Sequence, residues 1–422
     1  MTEDKRFKFS DDIQQVLAEK FPGKDIYNMS LEELETFKEE VLELRQQYSL
    51  LETGAKLCGN AAYGASANKN FYFYNVNLAA DITGECRLLT KTMWHNIEEF
   101  FHETIWERKD LWKKFDFELD ESKHDWYRKQ VVSCYSDTDS VYSTYGSFFK
   151  CFTSEYQAKY DTEQKKVEWI LKFNKEFFDG QNTKWCEEIY GPRNADNKHI
   201  FELETVNYAQ LVLCKKRYLK AVSFNKGKHL NPPKISGTGI EIIKTTTPAL
   251  CREILTDLTK SLLFEYPTMD KEDYTFYFND KLKEWKKKFY SADPEQISAS
   301  INVGPLNKYT EEWQENLIFR KKAPVSVKAA ARYNHLAYKN GEGDKFISGG
   351  KIKYYNIRLS DKVTDYFGFP AGEFPSWAPP MDKQTQWNKT VIEPINRFLE
   401  VMGIPKMNCY NTIQYNLFGE TI

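Results

Sequence analysis

Hydrophobic positions recur at alternating steps of three and four over residues 34–58, which is the spacing of one face of a helix. These positions are Leu34, Phe37, Val41, Leu44, Tyr48, Leu51, Ala55 and Cys58. Ser30 followed by Glu33 has the spacing of a capping box at the helix start. The pattern predicts one long amphipathic helix with a coiled-coil-like seam. Upstream there is a single short helical stretch, residues 12–20, so the seam lacks an obvious mate. An ordinary surface helix packed on its own domain explains the pattern equally well.

Further along, the pattern alternates between helical and strand periods without a βαβ rhythm. Predicted helices cover residues 76–101, 162–189, 247–264, 270–289, 308–319, 325–338 and 389–402. β-Branched and aromatic runs at 131–135 and 141–144 flank a tight polar link and predict a hairpin, and further strands are predicted at 199–206, 210–214 and 218–224. The charged stretch through Lys129 is interpreted as a surface excursion, and Pro232-Pro233 with Gly237 and Gly239 as a domain boundary. The predicted fold class is α+β.

The composition of the chain limits which classes of protein and function remain possible. The chain has 422 residues, of which 41% are hydrophobic and 15% aromatic, so a multidomain globular protein is expected. Its net charge is only -2, and any nucleic-acid site must therefore be a local basic patch. The eight cysteines form no C-x-x-C pair, which favours a reducing compartment over a disulfide framework. No apolar run is long enough to span a bilayer and no signal peptide is recognisable.

The sharpest chemical signal is Tyr135-Ser136-Asp137-Thr138-Asp139-Ser140, at the tip of the predicted hairpin. In an extended chain alternate residues face the same side, so Asp137 and Asp139 are expected to point together. Two neighbouring carboxylates repel each other unless a cation lies beside them, and their oxygens suit Mg²⁺. A bare D-x-D is more often a polar turn whose aspartates cap their own backbone.

A second candidate lies on the long helix, within Lys56-Leu57-Cys58-Gly59-Asn60-Ala61-Ala62-Tyr63-Gly64. Lys56, Asn60 and Tyr63 fall on one stripe, largely opposite the apolar seam. A cation, an amide and an aromatic hydroxyl in a row suit a phosphate-bearing ligand with a planar base. The alternative is a solvated lysine beside a packed tyrosine, with Gly64 simply weakening the helix end.

These motifs, in this order and followed by Lys215-Lys216-Arg217-Tyr218, resemble motif B, motif C and the K-K-R-Y motif of family B DNA-directed DNA polymerases. The resemblance is closest to the T-even-type bacteriophage branch. It extends to Phe9-Ser10-Asp11, Gly239-Ile240-Glu241, Thr247-Pro248 and Arg332-Tyr333-Asn334. It covers nearly the whole chain and implies the second half of the fingers at residues 1–70, a palm with a mixed or antiparallel sheet at 71–244, a mostly helical thumb at 245–410 and a tail at 411–422.

Carried over residue by residue, the resemblance implies specific roles. Asp139, supported by Asp137, would bind two catalytic Mg²⁺ ions, and Lys56 and Asn60 would hold the incoming dNTP. Tyr63 and Gly64 would form the floor under the nascent base pair. Lys215, Lys216, Arg217 and Tyr218 would grip primer–template DNA mainly through its backbone. Glu204 occupies the place of a nearby acidic residue in the family. The family's serine after the motif B asparagine is Ala61 here, which leaves a hydroxyl contact at that position in doubt.

One part of the family pattern is missing from the sequence. Motif A, a D-x-x-S-L-Y-P-S segment that carries the other metal-binding aspartate, does not occur, nor does an exonuclease domain. The resemblance therefore implies the C-terminal subunit of a split polymerase, working in the cytoplasm of a bacterial host with an N-terminal fragment that supplies both. A non-catalytic DNA-binding accessory subunit is the alternative. A reverse-transcriptase-like palm ranks third, since it would place two aspartates side by side.

The C-terminal tail, residues 411–422, carries a last candidate. Gln414, Leu417 and Phe418 resemble the short Gln-then-Leu-Phe peptides by which replicative polymerases bind a ring-shaped sliding clamp. A tethered Leu-Phe pair is suited to plug an apolar pocket while the glutamine hydrogen-bonds its rim. The alternative is a frayed terminus whose leucine and phenylalanine pack on the thumb.

Overall fold

Helices and small antiparallel sheets alternate along the chain in a computed structural model that describes residues 11–191, 201–320, 322–342, 349–360, 363–404 and 406–407. The helices are α1 Asp11–Lys20, α2 Leu31–Ala67, α3 Val76–Glu99, α4 Ile105–Glu107, α5 Lys109–Lys114, α6 His124–Tyr127, α7 Gly146–Lys150, α8 Ser154–Lys159, α9 Glu163–Phe173, α10 Asp179–Tyr190, α11 Ala249–Lys260, α12 Lys271–Ser291, α13 Pro294–Ile297, α14 Leu306–Tyr309, α15 Val325–Lys339, α16 Lys383–Trp387 and α17 Glu393–Val401. The strands are β1 Ser133–Asp137, β2 Ser140–Ser143, β3 Thr205–Cys214, β4 Arg217–Asn225, β5 Lys228–Thr238, β6 Ala299–Asn302, β7 Thr310–Glu312, β8 Ile318–Phe319, β9 Lys351–Ser360 and β10 Val363–Phe369. Two compact units result, Met1–Leu88 and Leu89–Ile422.

The first unit is built on α2, which begins at the predicted capping box. The Ser30 side chain accepts a hydrogen bond from the Glu33 amide, and the Glu33 carboxylate accepts one from the Ser30 amide. In the N-terminal half of the helix, Phe37 is buried within the unit. The rings of Phe21 and Phe37 meet edge to face with centroids 4.9 Å apart. Beyond that half, the seam is open to solvent: Tyr48 is 50% exposed and Leu51 68%.

The aromatic core of the second unit overturns one sequence interpretation. The stretch after residue 104 was expected to be a surface excursion, but α4, α5 and the loop that follows bury large side chains there: Ile105, Trp106, Leu111, Trp112, Phe115, Phe117 and Leu119. Each indole N–H is satisfied on the backbone, Trp106 at the Phe101 carbonyl (3.1 Å) and Trp112 at the Ile105 carbonyl (2.7 Å). Charged residues occupy the outer faces of this stretch, and its high content of charged residues therefore led to the wrong prediction that it lies on the surface.

The strand β5 overturns a second interpretation. Pro232 and Pro233 were taken as a boundary, but they lie inside β5, which forms an antiparallel sheet in the order β3-β4-β5. Proline is tolerated there because the β4–β5 pairing is interrupted at residues 230–233, between the Val222–Lys234 pair and the Phe224–His229 pair. The predicted strands at 210–214 and 218–224 fall within β3 and β4.

The C-terminal half contains two further cores. In one, α11, α12 and α17 pack around Leu255, Phe278 and Phe398. In the other, α15 packs on a three-stranded antiparallel sheet in the order β10-β9-β6. The helix predicted at 308–319 is wrong, because α14 ends at Tyr309 and the short strands β7 and β8, with the loop between them, follow it. The predicted helices at 247–264, 270–289, 325–338 and 389–402 are present.

The fold class α+β is confirmed, since all strand pairs among the described residues are antiparallel and helices predominate. The second half is less helical than expected, because it includes the β6-β9-β10 sheet. Within the described ranges, no helix combines the length and apolarity needed to cross a membrane.

Candidate functional site

Asp137 and Asp139 lie at the tight turn between β1 and β2. Asp137 ends β1, and Thr138 and Asp139 form the two-residue connection, with Thr138 at a φ of 55°. The Asp139 amide donates to the Asp137 carbonyl at 2.7 Å, and the Ser140 hydroxyl donates to the same oxygen at 3.0 Å. The extended chain that was expected to align the two carboxylates is interrupted at Thr138. Asp139 is exposed, whereas Asp137 is half-buried.

A second two-residue turn meets the first. Lys215 and Lys216 connect β3 to β4, and Lys216 has a φ of 60°. The Lys216 amide donates to the Tyr135 hydroxyl at 2.9 Å, and the Lys216 Nζ lies 3.8 Å from the Asp137 Oδ1. A left-handed backbone at a residue other than glycine costs on the order of 1 kcal/mol and concentrates at functional sites. Two such turns in contact therefore make this location a candidate functional site.

Three tyrosines hold the two turns against each other. The Tyr135 ring lies 5.4 Å from the Tyr142 ring and 5.5 Å from the Tyr218 ring, and the Tyr142 and Tyr218 hydroxyls are 3.3 Å apart. Burial raises the pKa of Tyr142, and its hydrogen bond with Tyr218 raises it further. Both effects favour the neutral phenol. Aromatic pairs of this geometry contribute about 0.5–1.5 kcal/mol each beyond their burial.

Arg217 and Tyr218 have partners inside the chain. The Arg217 guanidinium donates to both Glu241 carboxylate oxygens, at 2.9 and 3.1 Å, and its Nε donates to the Gly239 carbonyl at 3.2 Å. Tyr218 is 8% exposed. Lys215 and Lys216 are exposed at the turn itself. The two lysines are thus the members of the K-K-R-Y motif that present their charge to solvent.

The sheet that carries this turn is strongly basic. Residues 205–238 contain no Asp or Glu but seven Lys or Arg: Lys215, Lys216, Arg217, Lys220, Lys226, Lys228 and Lys234. The chain as a whole has a net charge of -2, so the positive charge is concentrated here. A local patch of this kind attracts a polyanion that the overall charge would not.

A cavity of about 1520 Å³ opens beside the hairpin and is lined by Asp139, all of β2, and Phe201–Gln210, which include the first half of β3. Glu204 also lines it, and its carboxylate pairs with Lys226 at 3.4 Å. The oxygen donors of Asp137 and Asp139 fit a hard divalent cation such as Mg²⁺. Among the residues that the structure describes, no group of three or more His, Cys, Asp and Glu gathers as a complete metal site.

The predicted nucleotide-binding residues share one face of α2 in the first unit. Lys56, Asn60, Tyr63 and Gly64 are all exposed. The Lys56 ammonium pairs with the Glu52 carboxylate at 2.7 Å. A methyl group at Gly64 would meet nothing within 4 Å, so packing inside this chain does not require glycine there. The tail residues Gln414, Leu417 and Phe418 lie outside the described residues.

Sequence reasoning missed three contributors to the site. Tyr142 and Glu241 are remote in sequence from the Lys215–Tyr218 motif that they contact, and the basic sheet is visible only once the three strands are known to be contiguous. For Tyr142, the sequence offered one signal: Tyr135 and Tyr142 lie on the two predicted hairpin strands, where they can form a cross-strand pair. Searches against known proteins add no further assignment: neither a protein-family model nor a curated protein matches this chain.

Proposed function

We propose that this chain is the C-terminal part of a family B DNA-directed DNA polymerase and acts with an upstream polypeptide segment that carries motif A. The observation that carries the proposal is the contact of Lys216 with Tyr135 and Asp137 at the end of β1, about 80 residues away in the sequence. This contact brings Asp137 of the first motif beside the exposed Lys216 of the second, on a basic sheet.

The sheet would bind primer–template DNA through its phosphates. Lys215 and Lys216 are exposed at the turn, and phosphate contacts of lysines position a duplex without reading its sequence. Arg217 and Tyr218 act as positioning residues, since one is tied to Glu241 and Gly239 and the other is packed on the hairpin. They hold the lysine turn at a fixed distance from Asp137.

Asp137 and Asp139 would hold the catalytic Mg²⁺ ions together with an aspartate from motif A. When bound, Mg²⁺ would supply the positive charge that favours attack of a primer 3′-hydroxyl on the α-phosphate of a dNTP and release of pyrophosphate. Asp139, exposed on the cavity, is the ligand that an upstream segment can reach. Lys216 beside Asp137 limits the repulsion between the two carboxylates when no cation is present.

Lys56, Asn60 and Tyr63 would receive the dNTP. Their shared helical face presents a cation for phosphate, an amide for hydrogen bonding and a ring for stacking. The open space at Gly64 fits close approach of a base pair. An exposed salt bridge such as Lys56–Glu52 contributes about 0–1 kcal/mol, so releasing it for a triphosphate is inexpensive.

A non-catalytic DNA-binding subunit is the second candidate. The basic β3–β5 sheet favours it, because such a sheet can bind DNA without Asp137 and Asp139. The two functions separate at Asp139. A DNA-binding subunit would tolerate its loss, whereas a polymerase would not.

Reconstitution tests the proposal. The upstream segment is identified as a polypeptide from the same genome that carries D-x-x-S-L-Y-P-S, and primer extension is measured for the chain, the segment and their mixture. We expect Mg²⁺-dependent synthesis only from the mixture, and none from the chain or the segment by itself. Asp139→Ala should reduce synthesis by about 10³-fold or more while DNA affinity stays within about twofold, and Lys56→Ala should chiefly raise the KM for dNTP. Near-normal turnover of the Asp139→Ala mixture would refute the polymerase assignment.

A further inference from the structure

A short segment without regular secondary structure, residues 201–204, lies against one face of α10. The Asn182 Nδ2 donates to the Phe201 carbonyl at 3.4 Å, and the Asp179 carboxylate accepts a hydrogen bond from the Leu203 amide. Because Asp179 and Asn182 are three positions apart in the helix, they are neighbours on the same face. Together they hold the segment at the point where it leads into β3.

Two oxygen atoms on this face of α10 are shielded from solvent and have no hydrogen-bond partner. They are the Asp179 Oδ1 and the Asn182 Oδ1. Asn182 is only 6% exposed, and it lines the cavity beside the hairpin. An unpaired buried polar atom destabilises the fold, and a carboxylate or amide oxygen can only accept. The occupant that satisfies both atoms must therefore donate hydrogen bonds or carry positive charge.

The Glu202 carboxylate adds a third oxygen donor. Glu202 lies between Phe201 and Leu203, the two residues that α10 holds, and it lines the same cavity. Burial raises the pKa of Asp179, and the negative charge of Glu202 raises it further. Two carboxylates in this relation repel each other unless a cation lies between them.

The charge of the surrounding wall also favours a cation. The charged residues among the described lining of the cavity are Glu98, Asp139, Glu163, Glu202 and Glu204 against Lys166. Among the described residues, no lysine or arginine is close enough to Asp179 to lower its pKa. A wall with this excess of carboxylates attracts positive charge and repels an anionic ligand.

Packing fixes the backbone around these donors. Phe201 packs against a buried cluster that includes Met93 and Cys186. Asp179 directly follows a π-helical turn, Asn174–Phe178, and such turns are frequent at functional sites. The oxygen donors are therefore carried by a helix and by a segment that is anchored on both sides of Glu202, as a binding site requires.

We infer that Asp179, Asn182 and Glu202 bind a hard divalent cation, Mg²⁺ or Ca²⁺, at a site that uses neither Asp137 nor Asp139. All three donors are oxygens, which these cations prefer, and water from the cavity completes the coordination. The cation joins α10 to the segment that begins the basic β3–β5 sheet, so its role is structural. The inference does not depend on the proposed polymerase function, because it involves neither the catalytic hairpin nor DNA.

Thermal unfolding of the full chain tests the site. The parent protein carries Asp139→Asn, which removes one carboxylate of the hairpin from the measurement. In EDTA, Asp179→Asn should melt at the same temperature as the parent or higher, because the repulsion with Glu202 is removed. Saturating MgCl₂ or CaCl₂ should raise the melting temperature of the parent but not that of Asp179→Asn, since a ligand stabilises the folded state that binds it. An equal rise for both proteins, or no rise for either, would overturn the inference.

Isothermal titration of the same proteins with MgCl₂ and with CaCl₂ measures the affinity directly. Glu202→Gln is a second variant, and its folding is not in question because Glu202 is exposed. Glu188→Gln is the matched control: it makes the same change of charge on α10, at an exposed position on the opposite face of the helix from Asp179. We expect at least about tenfold weaker binding for Asp179→Asn and Glu202→Gln, and the parental affinity for Glu188→Gln.

The control separates a site from a general effect of charge. A similar loss of affinity in all three variants would show that cations respond to the overall charge of the chain, and would overturn the inference. The absence of a calorimetric signal in the parent would overturn it as well. Both results are obtained without a partner or DNA, so they stand whether or not a reconstituted mixture extends a primer.

Discussion

Gly239 offers the most direct test of how the two turns are held in place. Its φ is +64°, and its carbonyl accepts a hydrogen bond from the Arg217 Nε. A Cβ built on this residue would lie 2.2 Å from the Lys216 carbonyl oxygen and 3.2 Å from the Arg217 Cγ. Gly239→Ala therefore forces the backbone of the lysine turn away from Gly239 by about 1 Å, the difference between this distance and an ordinary close contact.

The expected cost has two parts. An alanine held in the left-handed region costs about 1–2 kcal/mol, and overpacking against a backbone atom typically costs about 1–3 kcal/mol more. We expect a total of about 2–5 kcal/mol. Gly227→Ala is the matched control, because Gly227 has a φ of +81° in the β4–β5 turn and a methyl group there would meet nothing within 4 Å. It should lose about 1–2 kcal/mol, since only the backbone conformation is affected.

Urea unfolding followed by tryptophan fluorescence measures both variants. We expect the midpoint to fall further for Gly239→Ala than for Gly227→Ala, with similar slopes. If the proposed polymerase activity is reconstituted, Gly239→Ala should also lower kcat under conditions where the variant remains folded. The reason is that Lys216 carries both the hydrogen bond to Tyr135 and the charge beside Asp137. Equal losses for the two glycine variants would refute the view that close packing at Gly239 sets the position of the turn.

Three further predictions concern other surfaces. Lys215→Ala should reduce the slope of log affinity for DNA against log salt by about 1, measured by fluorescence anisotropy, and an unchanged slope would exclude a phosphate contact. Leu51→Asp should weaken assembly with the upstream segment at least about tenfold, by size-exclusion chromatography and titration, while Leu50→Asp, on another face of α2, should have little effect. Deleting residues 414–422 should leave synthesis on short primers unchanged but remove stimulation by the cognate sliding clamp on a long template. Equal stimulation of the full and truncated chains would show that the tail is not the clamp-binding segment.

Features governed by local chemistry were predictable from the sequence. The Ser30 capping box starts α2 at the expected residue, and Thr162, which caps α9, marks another predicted helix start. The hairpin at Asp137–Ser140 was predicted because polar turn residues separate two β-prone runs. In each case residues within about four positions of one another decide the conformation.

Features decided by distant contacts were not predictable. The proline pair in β5 was taken for a break because its neighbour β4 cannot be known from the local pattern. The tryptophan-rich stretch after residue 104 was taken for surface because Lys and Asp alternate with the aromatic residues that pack inward. The meeting of Lys216 with Tyr135 and Asp137 depends on the relative placement of two hairpins. Only the resemblance to a known family suggested that those motifs act together.

The exposed surface of the first unit bears on the proposed partner. Within α2, a helix of 37 residues, only Phe37 and Ser66 are buried. Gly54, Gly59 and Gly64 each weaken it by about 0.5–1 kcal/mol relative to alanine. A helix in water draws most of its stability from packing of an apolar face, and here Tyr48, Leu51 and Leu57 are 50%, 68% and 63% exposed.

Covering that half of the seam would recover about 25 cal/mol per Å² of apolar surface. Part of this free energy must offset the entropy cost of ordering a helix that is only marginally stable by itself. Binding and helix formation are therefore expected to be coupled. Leu51→Asp should then reduce not only the affinity for the upstream segment but also the gain in helical circular dichroism on mixing. A loss of affinity with no helical gain in the wild-type complex would instead indicate docking onto a helix that is already fully formed.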